Sequence, residues 1–525
     1  MIRSRLGQGL FAPGAKLPLA CAFAVVAALL IAIPYRIAQS GYLTDVSGAW
    51  AALADDVAHG VLYRPLVSEL GYGGTRYFPL HIVLHGGLSW LGLSVRFAGH
   101  VVSLLSAVLL VVAGAHALRK RGATPEWAIA IGLLTLASRT AFMAVGGIRG
   151  DLLAVALGVL GLALVPIGAD PVAPPGVTRT TSIVPASLCF ALALLAKPTL
   201  AWAPAGAFVA LIFQGQLRPA LKMTLIVGGI TGVGLGLAQL ASHGAMLASF
   251  QAFGSGGGFS LRKLLGSVSF VRPGEGLWIA GGVVVTLLRL KQSLRDPIGA
   301  AVLIGFLVTL ALYTGEGIHI NHLIDSVVLG ALALGMAVVA MPSDRWPTVL
   351  WTTAAVLGVL EASLLDAMVL KRGELEQAAA AIPAGDAPIL SEQPWIPILA
   401  GERVFMVDAF NLAHMRLTTP SVDRDLLERL DQCRFRAVVL IGPAHRGDWW
   451  YRKARFGVGF TEHLLANYSY RGVVGAHAIY LPQCGVPERD RVAVSEPAGE
   501  LDTVLARGGK PNALKATLTN WLHGK

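Results

Sequence analysis

The chain has 525 residues, of which 54% are hydrophobic and 14% charged, with a mean hydropathy of +0.64. That is too apolar for a soluble globular protein. The net charge of +11 does not mark a nucleic-acid binder either, because much of the Lys and Arg falls in short segments between apolar blocks, the positive-inside pattern. The blocks run roughly 15 to 22 residues, about one helical crossing of the hydrocarbon, and none alternates with period 2, so the sequence predicts a polytopic helical membrane protein.

Arg3, Arg5 and Lys16 precede a first apolar block, about Leu17 to Ile37, with no small-residue cleavage site. It reads as an uncleaved span with its N-terminus inside, which puts the polar run Gly41 to Leu80 outside. This run holds Asp45, Asp55, Asp56, Arg64, Glu69, Arg76 and Tyr77. Phe78 to Ser94 is apolar but interrupted by His81, His85, Gly86 and Gly87. Read as an interfacial helix, it lets Phe97 to Leu118 span inward and leaves Arg119-Lys120-Arg121 cytoplasmic, as the charge rule prefers.

Trp127 to Val145 then reads as a span going out, Arg149 lies in a tight outer turn, and Asp151 to Val165 returns to an inner loop from Asp170 to Ser182. Ile183 to Ala196 and Leu200 to Phe213 are short for spans and are broken by Lys197-Pro198, as a hairpin turning at the outer face would be. Met223 to Ala241 goes out, and His243 to Gly276 forms a second outer loop with the glycine-rich run Gly254 to Gly258. Leu277 to Leu290, Ile298 to Tyr313, Leu323 to Met341 and Thr348 to Met368 complete the count. The expectation is about eleven transmembrane helices over residues 1–370, with a first outer loop at 39–96 and the tail outside.

Residues 371–525 change in composition. Pro388 to Ser391, Val404 to Val407 and Arg436 to Gly442 read as short buried strands, separated by helical patterns at Asp423 to Gln432 and Thr461 to Tyr468. This predicts a soluble extracytoplasmic α/β domain with a largely parallel sheet. Outside the cytoplasm Cys433 and Cys484 can pair, but spacing alone leaves pairing and free thiols equally open.

Asp45 is the sharpest chemical candidate. A carboxylate just past the first span can act as general base toward a substrate held at the membrane surface; the plainer reading is a solvated acid or the cap of a helix starting near Ser47. Asp55 and Asp56 are neighbours and point about 100° apart on a helix, so Asp55 reads as a wet face and only Asp56 stays a candidate. A cofactor held by such acids would be a divalent Mg or Mn ion, although no DxD occurs, and no nucleotide motif is present. Arg76, Arg149 and Lys197 sit at outer breaks or turns, where cations run against the charge rule. They suit phosphate binding, the alternative being side chains that reach for lipid headgroups. Arg64 and Tyr77 add donors to the first loop, and His319, Asn321, His322 and Asp325 form a second polar cluster.

Thr44-Asp45 after the first span, Tyr77-Phe78-Pro79-Leu80, Arg149-Gly150-Asp151 and Leu195-Ala196-Lys197-Pro198-Thr199 together resemble the GT-C superfamily of integral-membrane glycosyltransferases, which includes protein mannosyltransferases and aminoarabinose transferases. In the tail, Ile389 to Glu392 and Val407-Asp408 look like the extracytoplasmic domain of bacterial members. The resemblance implies a sugar donor linked through phosphate to a polyprenol, and an acceptor that is a lipid, glycan or protein. It further implies a site at the outer face of the cytoplasmic membrane, with Asp45 as base and Arg149 and Lys197 on the phosphate. Arg76-Tyr77-Phe78-Pro79 stands where many members carry Lys-Pro-Pro. The binding set expected here is Asp56, Arg64, Arg76, Tyr77, Arg149, Lys197, His319 and His322. A multi-pass transporter or flippase is the rival class, but no internal repeat appears and the charges lie at the rim.

Overall fold

The computed structural model describes residues 43–166, 182–254, 259–315, 318, 320–340, 345–364, 373–444 and 450–484. The expected first span, most of the glycine-rich run and His319 lie outside the described residues.

Helix α1 (Asp45–Ala58) starts where Thr44 and Ser47 cap each other: each backbone N–H donates to the other's hydroxyl, at 2.7 and 3.3 Å. Thr44, not Asp45, is therefore the cap, and Asp45 lies in the first turn with its carboxylate available for other work. A two-stranded ribbon follows, β1 (Val67–Ser68) with β2 (Gly71–Tyr72). Pro79 then opens α2 (Pro79–Trp90), whose 12 residues reach only about 18 Å, too short to cross a bilayer.

Helix α3 (Val95–Arg119) is a full-length apolar helix, as expected. The next expected span is instead two helices, α4 (Pro125–Leu134) and α5 (Arg139–Gly146), bent by 79°. Ser138 caps α5, accepting from Ala141 N at 3.1 Å. The backbone freed by the bend is met from α12 (Pro273–Leu288): Trp278 Nε1 donates to Ala137 O at 3.2 Å, and Glu275 accepts from Thr140 N at 3.0 Å. Buried partners of this kind are what a break among apolar helices requires.

Between these lie α6 (Gly150–Leu164), α7 (Val184–Ala196), α8 (Trp202–Phe213), α9 (Leu217–Ala241), α10 (Ala245–Gly254) and α11 (Leu261–Ser267). Lys197-Pro198 breaks α7 from α8 as predicted, whereas the second outer loop contains helices. The remaining helices of this module are α13 (Pro297–Leu312), α14 (Leu323–Ala340) and α15 (Arg345–Leu364). Among the described residues three helices are long and apolar enough to cross a membrane, or four if the bent pair is one span; most of the others are apolar but shorter. α12 and α14 cross closely at Gly282 and Gly330, where a Cβ on Gly282 would lie 2.4 Å from the Gly330 Cα.

The tail forms a four-stranded sheet in the order β3 (Ile389–Ser391), β4 (Ala437–Ile441), β6 (His477–Pro482), β5 (Tyr468–Val474). Only β3 and β4 are parallel; β6 runs antiparallel to both of its neighbours, so the sheet is mixed rather than largely parallel. The expected strand Val404 to Val407 is not in this sheet. Met406 makes a bridge with Tyr72 of β2 instead, with Tyr72 N donating to Phe405 O at 2.8 Å and Val407 N to Tyr72 O at 3.1 Å. An apolar run predicts burial in a strand-like conformation but not which edge it finds. Cys433 and Cys484 form a disulfide, their Cα atoms 6.1 Å apart.

The tail is bound tightly to α1 and the segment that follows it. Trp395 Nε1 donates to Ser47 Oγ at 2.9 Å, Arg64 Nη1 to Val404 O at 2.7 Å, and Arg403 Nη2 reaches Asp56 at 3.1 Å. Gly48 permits this approach, since a Cβ there would meet the Pro394 ring at 2.9 Å.

Candidate active site

Three loop-to-helix junctions converge around the start of α1. Arg149, which begins α6, is buried and donates from Nη2 to Thr44 Oγ1 at 3.3 Å, which places it one residue from Asp45. Asp151, in the first turn of α6, pairs with Lys197 Nζ at 2.6 Å and accepts from Asn321 Nδ2 at 3.2 and 3.3 Å. Arg149 and His322 lie close enough to act electrostatically on the same carboxylate. Asp325, one turn into α14, accepts from Trp202 Nε1 at 3.3 Å and feels the Lys197 charge. Cations and acids from four separate stretches thus share one low-dielectric shell.

Tyr77 belongs to this shell. Its ring stacks on Trp50 at 4.0 Å, burial pushes its hydroxyl well above the usual tyrosine range, and the charges of Arg76, Asp408, Arg149 and Asp151 all reach it. At neutral pH it keeps its proton and can donate a hydrogen bond. Arg76 lies over the rings of Phe410 at 5.0 Å, Phe253 at 5.1 Å and Tyr77 at 5.8 Å. The Tyr77 hydroxyl, Arg149 Nε and Arg76 Nη1 are buried and bond to nothing among the described residues. An unspent buried donor costs about 1–3 kcal/mol, so three such donors on Tyr77 and on the two arginines whose charges reach it mark a place prepared for an anion or hydroxyl-rich group.

Asp56 and Arg64 are elsewhere. Asp56 and Arg64 are fully buried and form a two-pronged ion pair, and the second Arg64 amino group bonds Leu70 O and Val404 O at 2.8 and 2.7 Å. Their donors and acceptors are spent on each other and on the docked tail, so the structure brings them to the domain junction and not to the Asp45 shell.

Several residues that the sequence did not single out also meet Asp45. Arg455 Nη2 lies 3.7 Å from Asp45 Oδ2, and Arg455 Nε bonds Glu392 Oε1 at 3.1 Å. Glu392 also accepts from Trp450 Nε1 at 2.7 Å and from Ile441 N at 2.9 Å. Burial pushes its carboxyl up while Arg455 pulls it down. Gln393, in the amide orientation that satisfies both groups, donates to Thr44 O and accepts from Asp45 N, each at 3.2 Å. Only Glu392 had a sequence signal, in the Ile389 to Glu392 motif.

For a divalent ion the donor set does not fit. Asp45 faces a guanidinium, Asp151 an ammonium and an amide, and among the described residues no three His, Cys, Asp or Glu side chains converge as metal ligands.

No family model matches the chain, and no curated protein matches it. Solved structures do. One is the archaeal oligosaccharyltransferase AglB from Archaeoglobus fulgidus with an inhibitory peptide and a dolichol-phosphate, at 13% identity over 89% of this chain and 75% of that one, with a TM-score of 0.49. Another is ArnT from Cupriavidus metallidurans bound to undecaprenyl phosphate, at 13% identity over 90% and 98%, also with a TM-score of 0.49. The chain resembles both over most of its length.

Proposed function

We propose that this chain is a membrane glycosyltransferase of the GT-C type, moving a sugar from a polyprenyl-phosphate donor to a lipid, glycan or protein acceptor at the outer face of the cytoplasmic membrane. The observation that carries this reading is the link between base and cations: Arg149 bonds the residue next to Asp45 and shares Asp151 with Lys197. A base and a phosphate-binding pair are thereby held in one shell.

Asp45 is 38% exposed and so reachable by an acceptor hydroxyl, whose proton it removes as the oxygen attacks the anomeric carbon. The bond from that carbon to the phosphate oxygen breaks, and the leaving polyprenyl phosphate gains negative charge. Arg149 and Lys197 stabilise this charge, and the Tyr77 hydroxyl and Arg149 Nε supply unspent donors to phosphate or sugar oxygens. One displacement inverts the anomeric configuration. The disulfide supports an oxidising compartment for the tail, and hence a site on the outer side.

The test is glycosyl transfer by the purified full chain in detergent, with a panel of polyprenyl-phosphate sugars and labelled acceptors. Transfer from at least one donor is expected. Failure with all of them, together with substrate movement in vesicles, would replace this reading with that of a transporter.

A further inference from the structure

Asp45 is held by the soluble domain as much as by its own helix. Among the described residues, the charged groups that face it are Arg455 and Glu392 from the tail and Arg149 through Thr44. Arg455 is 9% exposed at its side chain and locked on three sides: over the Trp450 ring at 4.0 Å, near the Phe410 ring at 5.6 Å, and bonded to Glu392 at 3.1 Å. Glu392 is itself buried and fixed by the Trp450 indole and Ile441 N. At 3.7 Å from Asp45 the guanidinium is within ion-pair range but beyond a close hydrogen bond.

We propose that Arg455 is a positioning residue for Asp45, fixing where the carboxylate points and how tightly it holds a proton, and that Glu392 sets how much of the guanidinium charge Asp45 feels. The soluble domain would then be part of the catalytic apparatus and not only an attached module. This inference rests on Asp45 being the base of the proposed transfer.

Two features separate the arrangement from ordinary domain glue. First, the Ser391 to Trp395 segment grips the α1 start by its backbone and by Ser47, through Gln393 and the Trp395 indole, so docking does not need the Arg455 charge. Second, Glu392 bonds Nε and Asp45 faces Nη2 of the same guanidinium edge, so the Arg455 and Glu392 charges act on Asp45 with opposite sign. Losing Arg455 removes a positive charge beside Asp45 and makes its proton harder to lose. Losing the Glu392 charge leaves the guanidinium fully positive toward Asp45 and makes the proton easier to lose.

The experiment is the pH profile of kcat/KM for full-length Arg455→Gln, Arg455→Lys and Glu392→Gln, each first shown to be folded by a cooperative melting transition above the assay temperature in detergent. For Arg455→Gln, the acid limb is expected to move up with a fall in rate. For Glu392→Gln it should move down, and Arg455→Lys should restore most of the wild-type position. If Arg455→Gln does not fold, the lysine and Glu392→Gln profiles decide. Acid limbs that stay put, or that move in the same direction in both charge-removing variants, overturn the inference. Wild-type turnover in Asp45→Asn would instead overturn the underlying assignment of the base.

Discussion

Arg149 Nη2 donates to the Thr44 hydroxyl at 3.3 Å across 105 residues of chain, and Thr44 is the residue that caps the helix carrying Asp45. The cap and the cation are therefore one unit. Since Arg149 Nε has no partner among the described residues, part of that guanidinium remains for an incoming group.

Arg149→Gln is accordingly expected to lower kcat by about 10²–10³-fold and to raise KM for the polyprenyl-phosphate donor, the loss typical when one preorganised donor to developing charge is removed. Steady-state kinetics checks this. A change confined to the melting temperature would make Arg149 a helix-start anchor only.

Asp56→Asn should behave differently. It leaves Arg64 buried with half of its ion pair gone, a change that costs about 3–5 kcal/mol, and the melting temperature in detergent should fall clearly. The turnover of the protein that remains folded should be near wild type. Full stability with lost turnover would return Asp56 to the substrate-binding set expected from sequence.

The sequence made some of this legible and hid the rest for physical reasons. Apolar runs and their breakers located α2, α3, α6 and the Lys197-Pro198 break, because helix length and proline act locally. Arg149 and Lys197 could be singled out because cations at expected outer turns run against the charge rule, and Asp45 because a carboxylate follows directly on the expected first span. The bend between α4 and α5 was invisible, since Leu136-Ala137-Ser138 is apolar enough to continue a helix and the groups that rescue its backbone, Glu275 and Trp278, come from more than 130 residues away. Arg455 was hidden for the same reason: nothing in its own neighbourhood says that it will face Asp45, 410 residues earlier. The β5–β6 hairpin was missed because it follows a helix directly, with no apolar alternation before Tyr468.

Acid should loosen the tail's sheet around β6. Burial holds His477 well below its ordinary value of 6.5, at about 4, so the folded domain binds fewer protons than the unfolded chain between these values. Stability from this group is fully present above pH 6.5 and is lost as pH falls toward 4, by on the order of 3 kcal/mol. Glu392, pushed up by burial, works in the opposite sense, so the local readout is amide exchange over residues 468–482. Protection there should drop between pH 7 and pH 4; constant protection would contradict the assignment.

Reduction should loosen the same domain. The Cys433–Cys484 bond spans 51 residues, and opening a loop of that size forfeits about 4 kcal/mol in the chain-entropy account. Thermal unfolding of the full chain with and without dithiothreitol should show a lower transition in the reduced sample, and identical transitions would indicate that the bridge adds nothing to stability.

The central claim is that Asp45 takes the acceptor proton in a single inverting displacement. The most direct measurement is turnover of Asp45→Asn with a competent polyprenyl-phosphate sugar, alongside the anomeric configuration of the wild-type product by NMR. The account predicts a loss of about 10²–10⁴-fold at unchanged melting temperature, and inversion in the product. Undiminished turnover in the variant, or retained configuration in the product, would contradict it.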